Sequence, residues 1–306
     1  MKVLVATEKP FAPVAVEGIR KVVEEAGHEL ALLEKYTDPA QLCEAVADAD
    51  ALIVRSDKVT PALLDAAPKL KIVVRAGAGY DNVDLESATA HGVVVENTPG
   101  QNSNAVAELV FGMLVMAVRN MYAGTAGSEL LGKTLGIHAF GQVGRNVARI
   151  AGGFGMKVSA LDPYCPVEVM QAAGVEPVGD LHELYSNNKF VSLHIPATPE
   201  TRGSVGYDLI SLMPKGGVLI NTARKEVIDE AGLAQALEAR ADLKYVADIR
   251  PDNADELLER FPGRVFFTPK KMGAQTAEAN INAGIAAARQ IADFFATGNT
   301  RFKVNK

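Results

Sequence analysis

The sequence predicts an α/β protein made of two doubly wound parallel-sheet domains. Three observations support this fold class. The chain has 306 residues, enough for about two domains with sizeable cores. Short apolar runs of strand length alternate with helical patterns along both halves of the chain. One of the junctions between a strand and a helix, within residues 135–164, is a glycine-rich turn.

The composition is that of an ordinary soluble globular protein. Hydrophobic residues make up 48% of the chain and charged residues 22%. The net charge of −6 argues against nucleic acid as a partner, because phosphate binding needs a basic surface. The longest apolar run, Leu109 to Val118, is too short to span a bilayer, so no membrane association is expected. The first residues lack the apolar core and cleavage site of a signal peptide.

The cysteines and histidines indicate the cellular compartment and bear on whether a metal is bound. The two cysteines, Cys43 and Cys165, are too few for a disulfide framework and fit the reducing cytoplasm. The five histidines are scattered and show no ligand spacing, so no metal site is expected. The chain is therefore predicted to be cytoplasmic and to work without a bound metal.

The first half of the chain contains five strand-like runs with helical patterns between them. These runs are Val3–Thr7, Leu30–Glu34, Ala51–Ser56, Lys71–Ala76 and Val93–Thr98. Two helices are expected to begin at Asp38-Pro39 and Thr60-Pro61, where a capping side chain precedes a proline at the first helical position. The alternation predicts a parallel sheet covered on both faces. The turn-rich segment Asn97–Gly100 ends this unit.

A long helix is expected from Asn102 to Met121, followed by a segment rich in glycine. This segment contains a match to the P-loop pattern, in which Gly127 is followed by Gly132-Lys133-Thr134 after four other residues. We reject the match, because a P-loop follows a strand and opens a helix, whereas these residues follow a helix and lead into a strand.

The second half contains six further strand candidates. They are Thr134–Phe140, Lys157–Leu161, Phe190–Ile195, Gly217–Thr222, Tyr245–Ile249 and Val265–Thr268. The last helix, Gln275 to Thr297, is expected to return to the first unit, which otherwise lacks a closing element. The predicted domains are therefore residues 1–98 with 281–306 and residues 99–280. A cleft between two such domains is where a small substrate usually binds.

The segment from Leu135 to Tyr164 reads strand, glycine turn, helix, strand, which is the order that a dinucleotide site requires. Gly141 and Gly144 would let the backbone approach a pyrophosphate, which the N–H groups of the helix N-terminus would bind. Ala139 stands where the G-x-G-x-x-G pattern has its first glycine. Asp162 would accept the ribose hydroxyls and repel a 2′-phosphate, so the sequence predicts NAD in a Rossmann domain. The alternative is an ordinary βαβ unit with a glycine-rich turn.

Polar residues follow the predicted strands at their carboxyl ends, where open α/β sheets bind ligands. They are Asp162, His194–Pro196, Asn221–Arg224, Asp248 and Lys270-Lys271 in the second unit, and Arg55-Ser56, Arg75–Gly79 and Asn97 in the first. The excess of cations predicts a small anionic substrate, since arginine offers a planar fork to a carboxylate. Gly77 and Gly79 would let backbone amides approach it closely.

Each of these residues also has a structural interpretation. His194 could be a hydrogen-bonded core histidine at the end of a buried strand. Asp248 could cap a helix or pair with Arg250. Lys270-Lys271 could form a solvated turn, and the arginines of the first unit could form ordinary surface pairs.

Three segments resemble one family over nearly the whole chain, the D-isomer-specific 2-hydroxyacid dehydrogenases. They are Val74–Leu109, SLHIPATPETRG at Ser192–Gly203, and GGVLINTAR at Gly216–Arg224 with the acidic pair Asp229-Glu230 after it. Two stretches, IVRSDKVT at Ile53–Thr60 and GQNSNAVAE, resemble the phosphoglycerate dehydrogenases within this family. The chain would be a short form without a C-terminal regulatory domain.

The resemblance implies a role for each matching residue. Arg224 and Lys271 would be catalytic. Substrate would be bound by Arg55, Ser56, Ala76, Gly77, Ala78, Gly79, Asn102 and Ser103. The cofactor NAD would be bound by Gly141, Gln142, Val143, Gly144, Asp162, Pro163, His194, Ile195, Pro196, Thr201, Thr222, Ala223, Asp248 and Gly273.

Three departures from the family pattern bear on these roles. The family's catalytic histidine falls at Lys271, and a subset of short phosphoglycerate dehydrogenases is similar in using lysine there. The acidic partner of that histidine falls at Asn253, where Asp252 or Asp255 could substitute. A lysine needs no carboxylate to fix a tautomer, so the two changes are chemically coherent. The segment from Arg119 to Gly132 is short and lacks the family's tryptophan, which bears on the dimer contacts.

The resemblance implies NAD-dependent oxidation of D-3-phosphoglycerate to 3-phosphohydroxypyruvate, the first step of phosphorylated serine biosynthesis, by a homodimer. Lys271 would take the hydroxyl proton as the hydride leaves. Because an ordinary lysine has a pKa near ~10.4, oxidation is expected to speed up as the pH rises. One alternative is the same chemistry on another small D-2-hydroxy acid, such as glycerate, lactate or glyoxylate. A second is a non-enzymatic NAD-sensing binding protein.

Overall fold

Each of the two series of strands and helices forms one parallel sheet. The computed structural model describes all 306 residues and divides them into a first unit, residues 1–102 with 275–306, and a second unit, residues 103–274. The division places the helix that starts at Ser103 in the second unit and the last helix in the first. No helix has both the length and the apolar character needed to cross a membrane.

The first unit has a five-stranded sheet in the order β2-β1-β3-β4-β5, with every pair of neighbouring strands parallel. Its strands are β1 (Lys2–Thr7), β2 (Glu29–Glu34), β3 (Ala51–Val54), β4 (Ile72–Arg75) and β5 (Val94–Asn97). Its helices are α1 (Pro13–Glu25), α2 (Pro39–Val46), α3 (Pro61–Asp65), α4 (Leu85–Ala90) and α12 (Ala277–Thr297). The strand order reverses between β1 and β3, which makes this the topological switch point of the sheet.

Both faces of this sheet are covered, as the apolar strands predict. Leu4 and Leu52 pack on one face with side chains of α2 and α3, whereas Val3 and Ile53 pack on the other with α1 and α12. The predicted caps are confirmed: the Asp38 side chain accepts from the amide of Ala40 at 2.9 Å, and the side chain of Thr60 caps α3. Alternation along buried strands thus builds two apolar layers in one unit.

The second unit has a seven-stranded parallel sheet in the order β12-β11-β10-β9-β6-β7-β8. Its strands are β6 (Thr134–His138), β7 (Lys157–Leu161), β8 (Glu176–Pro177), β9 (Phe190–Leu193), β10 (Val218–Asn221), β11 (Lys244–Ala247) and β12 (Val265–Phe267). Its helices are α5 (Ser103–Val118), α6 (Gln142–Gly153), α7 (Val167–Ala172), α8 (Leu181–Asn187), α9 (Tyr207–Ile210), α10 (Glu230–Ala239) and α11 (Ala254–Arg260). The switch point lies between β6 and β9, and the order is that of a Rossmann domain.

Two local features differ from the sequence-based expectation. The two-residue strand β8 was not predicted, because two residues are too few to show a strand period. The helix expected to reach Met121 ends at Val118, after which Asn120, Met121 and Tyr122 all take positive φ angles near 50°. The Gly-Lys-Thr segment of the rejected P-loop match runs into β6, as expected.

Candidate functional site

The glycine turn after β6 brings a helix N-terminus to the switch point of the second sheet. Gly141 is the N-cap of α6, and no atom lies within 4 Å of the point where a Cβ on it would stand. A Cβ on Gly144 would lie 2.4 Å from the Ala139 carbonyl oxygen, so only glycine allows this close packing of helix and turn. The amides of Gln142 and Val143 belong to the first turn of α6, where intrahelical acceptors are lacking. This turn can therefore receive an anion such as a pyrophosphate.

Ala139 occupies a backbone conformation that its side chain disfavours. Its φ angle is +83°, in the left-handed region where an ordinary residue costs roughly 1–2 kcal/mol more than glycine. This is the position of the missing first glycine, so the tight turn is retained although the glycine is absent.

Asp162 stands at the end of β7, beside the glycine turn. Its carboxylate accepts from the amide of Phe140 at 2.8 Å and from that of Tyr164 at 2.9 Å. Pro163 follows directly and continues the same loop. The carboxylate thus ties the end of β7 to the turn and leaves a fixed negative charge there, which favours hydroxyl groups and disfavours a phosphate.

Two neutral histidines lie across the switch point. His194, at the end of β9, is hydrogen-bonded through Nε2 to Ser192 Oγ at 2.9 Å, and its amide donates to the His138 carbonyl at 2.9 Å. Burial, aided by the neighbouring His138, lowers the pKa of His194 to about 3. Burial likewise lowers the pKa of His138 to about 4, and its Nδ1 is hydrogen-bonded to the Tyr185 hydroxyl at 3.3 Å. The sequence analysis missed His138, which lies within an apolar strand.

The loop after β9 closes on itself through a threonine. Thr201 Oγ1 donates to the Pro196 carbonyl at 2.6 Å and accepts from the amide of Thr198 at 2.7 Å. Ile195 is buried between this loop and the core. Pro196 and Thr201, predicted to contact the cofactor, are thus brought together by a hydrogen bond.

Arg224 lies in a turn after β10 that Asn221 braces. The fully buried Asn221 side chain accepts from the amide of Ala223 at 2.9 Å and donates to the Arg224 carbonyl at 2.9 Å. One guanidinium nitrogen of Arg224 donates to the Ala223 carbonyl at 2.9 Å. Thr222 is buried, and its Oγ1 has no hydrogen-bond partner in the protein. An orphaned hydroxyl at the carboxyl end of a strand is a position where a polar ligand atom fits.

Asp248 neither caps a helix nor pairs with Arg250. It is buried at the end of β11, and its carboxylate accepts from Thr268 Oγ1 at 3.0 Å and from the amides of Met272 and Gly273 at 2.6 and 2.8 Å. These donors belong to the segment after β12 that carries the exposed Lys271.

The carboxylates near Asn253 are engaged elsewhere. Asp252 forms an ion pair with Lys225, and Asp255 forms one with Arg250. The Asn253 amide group donates to the Glu230 carbonyl at 3.4 Å, while its Oδ1 is buried without a partner. Both aspartates that could substitute for the family's acidic residue are therefore already held in ion pairs.

Arg55 lies at the switch point of the first sheet, with its guanidinium held on several sides. One nitrogen donates to the carbonyls of Lys9 and Pro10 at 3.1 and 3.3 Å, and another donates to Asn280 Oδ1 at 2.6 Å. The guanidinium also lies over the Phe11 ring, 5.1 Å from its centroid. Burial lowers the pKa of Arg55, but an arginine stays charged at neutral pH. Neutral groups thus fix the cation and leave its charge available to an anion.

A second buried carboxylate, missed by the sequence analysis, fixes the backbone around Arg55. Asp57 accepts from the amides of Glu8 and Arg55 at 2.7 and 3.2 Å and from the Tyr36 hydroxyl at 2.8 Å. These donors follow β1, β3 and β2. Ser56, between Arg55 and Asp57, is exposed.

The glycine loop after β4 is held by side chains that donate to backbone carbonyls. Gly77 has a φ of +147°, and a Cβ on it would lie 1.6 Å from a guanidinium nitrogen of Arg75. Arg75 Nε donates to the Arg55 carbonyl at 2.9 Å, and Asn97 donates to the Ala78 carbonyl at 2.6 Å. Glycine is therefore required for the Arg75 side chain to pass.

The predicted substrate residues at the start of α5 fall on both sides of the division between the units. Asn102 is the last residue of this part of the first unit, and Ser103 opens the second. Ser103 Oγ accepts from the Asn146 side chain on α6 at 3.0 Å. Apart from these two, every predicted site residue follows the carboxyl end of a strand in its own unit. No three His, Cys, Asp or Glu side chains are grouped so as to hold a metal ion.

Comparison with known proteins shows sequence similarity over most of the chain. The family model for the D-isomer specific 2-hydroxyacid dehydrogenase NAD-binding domain matches residues 113–269. A D-3-phosphoglycerate dehydrogenase of Methanocaldococcus jannaschii is 40% identical over 288 residues, covering 89% of this chain and 54% of the relative. A hydroxypyruvate reductase of Thermotoga maritima is 35% identical, covering 86% of this chain and 90% of the relative.

A solved structure is similar over the full length. The crystal structure of an NAD⁺-bound 3-phosphoglycerate dehydrogenase in Entamoeba histolytica shares 48% identity at a TM-score of 0.86, covering 100% of this chain and 99% of that one. In contrast, this chain spans about half the length of curated phosphoglycerate dehydrogenases that it matches, 54% and 51% for two of them.

Proposed function

This chain belongs to the D-isomer specific 2-hydroxyacid dehydrogenases, and from that premise we propose that it oxidises D-3-phosphoglycerate to 3-phosphohydroxypyruvate with NAD. The observation that carries the proposal is the Arg55 guanidinium, which neutral groups hold at the switch point of the first sheet. A fixed cation that forms no ion pair within 4 Å suits a phosphate. The first unit would thus bind substrate, with Ser56 and the Ala76–Gly79 amides completing the receptor.

The residues of the second unit fit NAD. The open space beside Gly141, the orphaned Thr222 hydroxyl and the Asp162 carboxylate offer a pyrophosphate site, a polar contact and a ribose site. The neutral His194 adds no charge beside the cofactor. When bound, NAD would supply a hydride acceptor. The remaining predicted cofactor residues are Gln142, Val143, Gly144, Pro163, Ile195, Pro196, Thr201, Ala223, Asp248 and Gly273.

The proposed chemistry divides between two cations of the second unit. The Arg224 guanidinium would bind the substrate carboxylate as a planar fork and hold the reacting carbon in place. Lys271 Nζ would take the proton from the C2 hydroxyl as the C2–H bond gives up its electron pair as hydride, so that a carbonyl forms. In the reverse direction the Lys271 ammonium would return that proton to the ketone oxygen.

One observation favours a second candidate. The hydroxypyruvate reductase relative matches over 90% of its own length, unlike the longer phosphoglycerate dehydrogenases. The same site could therefore reduce or oxidise an unphosphorylated acid of similar size. Arg55 separates the two candidates, because only a phosphorylated acid would need it.

The deciding experiment is the initial rate of NADH formation from NAD, between pH 7 and 10, with 3-phosphoglycerate, glycerate or lactate. We expect turnover of the phosphorylated acid, increasing with pH. Lys271→Met should lower kcat by about 10²- to 10⁴-fold while NADH fluorescence titration shows binding retained. The matched control is Lys270→Met, which removes the neighbouring exposed lysine.

Three outcomes would count against the proposal. Turnover of glycerate or lactate alone would favour the second candidate. NADH binding without turnover of any acid would favour a dinucleotide-sensing protein. Undiminished kcat in Lys271→Met would remove the lysine from its assigned role.

We also propose that the protein is a cytoplasmic homodimer. The family resemblance supports a dimer, and the two unpaired cysteines, Cys43 and Cys165, are compatible with a reducing compartment. Light scattering after size exclusion should give twice the chain mass of 32.4 kDa. A mass of one chain at micromolar concentration would contradict the dimer.

A further inference from the structure

One buried carboxylate binds both ends of the short segment that carries Lys271. Thr268 lies three residues before Lys271, and Met272 and Gly273 follow it directly; all three donate to Asp248. We propose that Asp248 is a positioning residue that fixes the Lys271 segment for proton transfer. The proposal rests on the function proposed above and goes beyond the cofactor contact that the family resemblance implies for Asp248.

The hydrogen bonds form a closed loop rather than a string of independent contacts. Asp248 Oδ1 accepts from Thr268 Oγ1 at 3.0 Å and from the Met272 amide at 2.6 Å, and Oδ2 accepts from the Gly273 amide at 2.8 Å. The Thr268 hydroxyl also lies 2.7 Å from the Asp248 carbonyl oxygen. Lys271 is thus the residue before two amides fixed by one carboxylate. A segment tied at both ends has few backbone conformations left.

Gly273 shows how closely the segment approaches the carboxylate. A Cβ on Gly273 would lie 2.9 Å from Asp248 Oδ2 and 3.2 Å from Val106 Cγ2 on α5. Any side chain there would push the segment away from Asp248. The glycine predicted to contact the cofactor thus has a structural reason to be glycine.

The site requires an acceptor at both side-chain oxygens and not merely a polar side chain. Asp248 is 1% exposed, and its two carboxylate oxygens accept the three hydrogen bonds from this segment. A carboxylate is an acceptor at both oxygens, whereas an asparagine presents an NH₂ group on one side. In Asp248→Asn, that NH₂ would face a backbone N–H, and the segment would have to move. Misplacement of a reacting group by about 1 Å can lower the rate on the order of 10²-fold.

The two roles of Asp248 make different predictions. A residue that binds the dinucleotide would weaken NADH affinity when replaced. A positioning residue would leave NADH affinity unchanged, lower kcat, and alter the chemical environment of Lys271 whether or not substrate is turned over.

The test compares Asp248→Asn and Thr268→Val with the wild type and with Asp180→Asn. Asp180 caps α8 through the amide of Glu183 at 2.8 Å, so Asp180→Asn makes the same chemical change at an exposed site of the same unit. Acylation of Lys271 by acetic anhydride is followed against pH by peptide mass spectrometry, with Lys270 as the internal reference. NADH affinity and kcat for 3-phosphoglycerate are measured on the same preparations.

We expect Asp248→Asn to shift the acylation profile of Lys271 but not of Lys270, and to lower kcat about 10²-fold with NADH affinity unchanged. Thr268→Val should do the same to a smaller extent, and it tests the proposal even if Asp248→Asn fails to fold. Asp180→Asn should resemble the wild type. An unchanged Lys271 profile in both variants, or a loss of NADH affinity that accounts for the lower rate, would overturn the proposal. If the wild type turns over no acid, the proposed function fails, whereas the acylation profiles still decide whether Asp248 positions Lys271.

Discussion

Two buried aspartates, one in each unit, accept the same kinds of hydrogen bond. Asp57 in the first unit and Asp248 in the second each accept from two backbone amides and one side-chain hydroxyl. Both follow a strand at the carboxyl end of a parallel sheet. The donors differ: those of Asp57 come from loops after three different strands, whereas those of Asp248 belong to one segment. One carboxylate therefore joins several loops, and the other shapes a single loop.

The cations beside the two carboxylates differ in a corresponding way. The Arg55 guanidinium is itself held by carbonyls, by Asn280 and by the Phe11 ring, so the charged group is fixed together with its backbone. The Lys271 side chain is exposed, and the hydrogen bonds to Asp248 act on its backbone. A permanent cation held in place suits anion binding, and a lysine on a fixed backbone suits proton transfer. The comparison predicts that damage around Arg55 affects substrate binding and that damage around Lys271 affects the chemical step.

The largest effect that would test this division is expected from Asp57→Asn. Asparagine keeps only one accepting oxygen, so the amide of either Glu8 or Arg55 would face an NH₂ group. This should cost about 1.5–3 kcal/mol, which corresponds to a roughly ten- to hundredfold higher KM for 3-phosphoglycerate. The value of kcat should change little, the opposite of Asp248→Asn. Steady-state kinetics on both variants checks that Asp57→Asn changes KM and that Asp248→Asn changes kcat.

Tyr36→Phe sharpens the same comparison. It removes one hydroxyl donor to Asp57 while keeping the buried ring, so it should raise KM by less than Asp57→Asn does. If Asp57→Asn instead lowered kcat at unchanged KM, the assignment of binding to the first unit would be wrong.

The sequence was sufficient for the fold and for naming the residues that follow the strands, because both depend on local patterns. Buried parallel strands appear in the sequence as apolar runs, and the residues at their carboxyl ends follow directly from where those runs stop. The contacts of Asp57 and Asp248 were not predictable in this way. Asp57 takes its donor from Glu8, 49 residues away, and Asp248 takes one from Gly273, 25 residues away. Such pairs are set by strand order, which one sequence does not specify.

Some strand-end residues were predicted as candidates but with the wrong partner or none. The structural alternatives for Asp248, a helix cap or a pair with Arg250, are wrong, because its donors are in the segment after β12, whereas its predicted cofactor contact stays a prediction. Asn221 reads as the last residue of an apolar run, and its bracing of Arg224 depends on a turn conformation. A side chain that bonds to backbone leaves no sequence signal, because any residue can supply the backbone group.

Acid should distinguish the two units in stability. Burial lowers the pKa of His138 in the second unit to about 4, so its contribution to stability is present above the unfolded value near 6.5 and is lost as the pH falls. The loss is about 1.4 kcal/mol per pH unit between those values. Burial, partly opposed by a bond from the Phe302 backbone, raises the pKa of Glu96 in the first unit. Its contribution to stability is present below pH about 4.5, the unfolded pKa, and is lost as the pH rises through the higher folded pKa.

Two substitutions by neutral residues measure how these two groups change the free energy of unfolding with pH. Urea midpoints followed by circular dichroism at pH 7.5, 6.5, 5.5 and 4.5 should show His138→Gln gaining on the wild type as the pH falls. Glu96→Gln should lose relative to the wild type over the same range, because the wild type recovers stability when its buried carboxyl is protonated. If the urea midpoints of both variants changed with pH as those of the wild type do, the expected difference between the units would be contradicted.

The smallest expected effect concerns how each unit forms the loop after its first strand. After β1, the loop is held by the hydrogen bond from Glu8 to Asp57, whereas after β6 it is held by glycines and by Ala139 at a φ of +83°. Ala139→Gly should stabilise the protein by about 1 kcal/mol, because a strained left-handed alanine becomes a permitted glycine, less the larger entropy that glycine loses on folding. The matched change in the opposite sense is Gly144→Ala, whose Cβ would lie 2.4 Å from the Ala139 carbonyl oxygen and should destabilise the turn by more. Thermal unfolding of both variants, with NADH titration, checks the pair; a lower melting temperature for Ala139→Gly would mean that the turn is not strained at that residue.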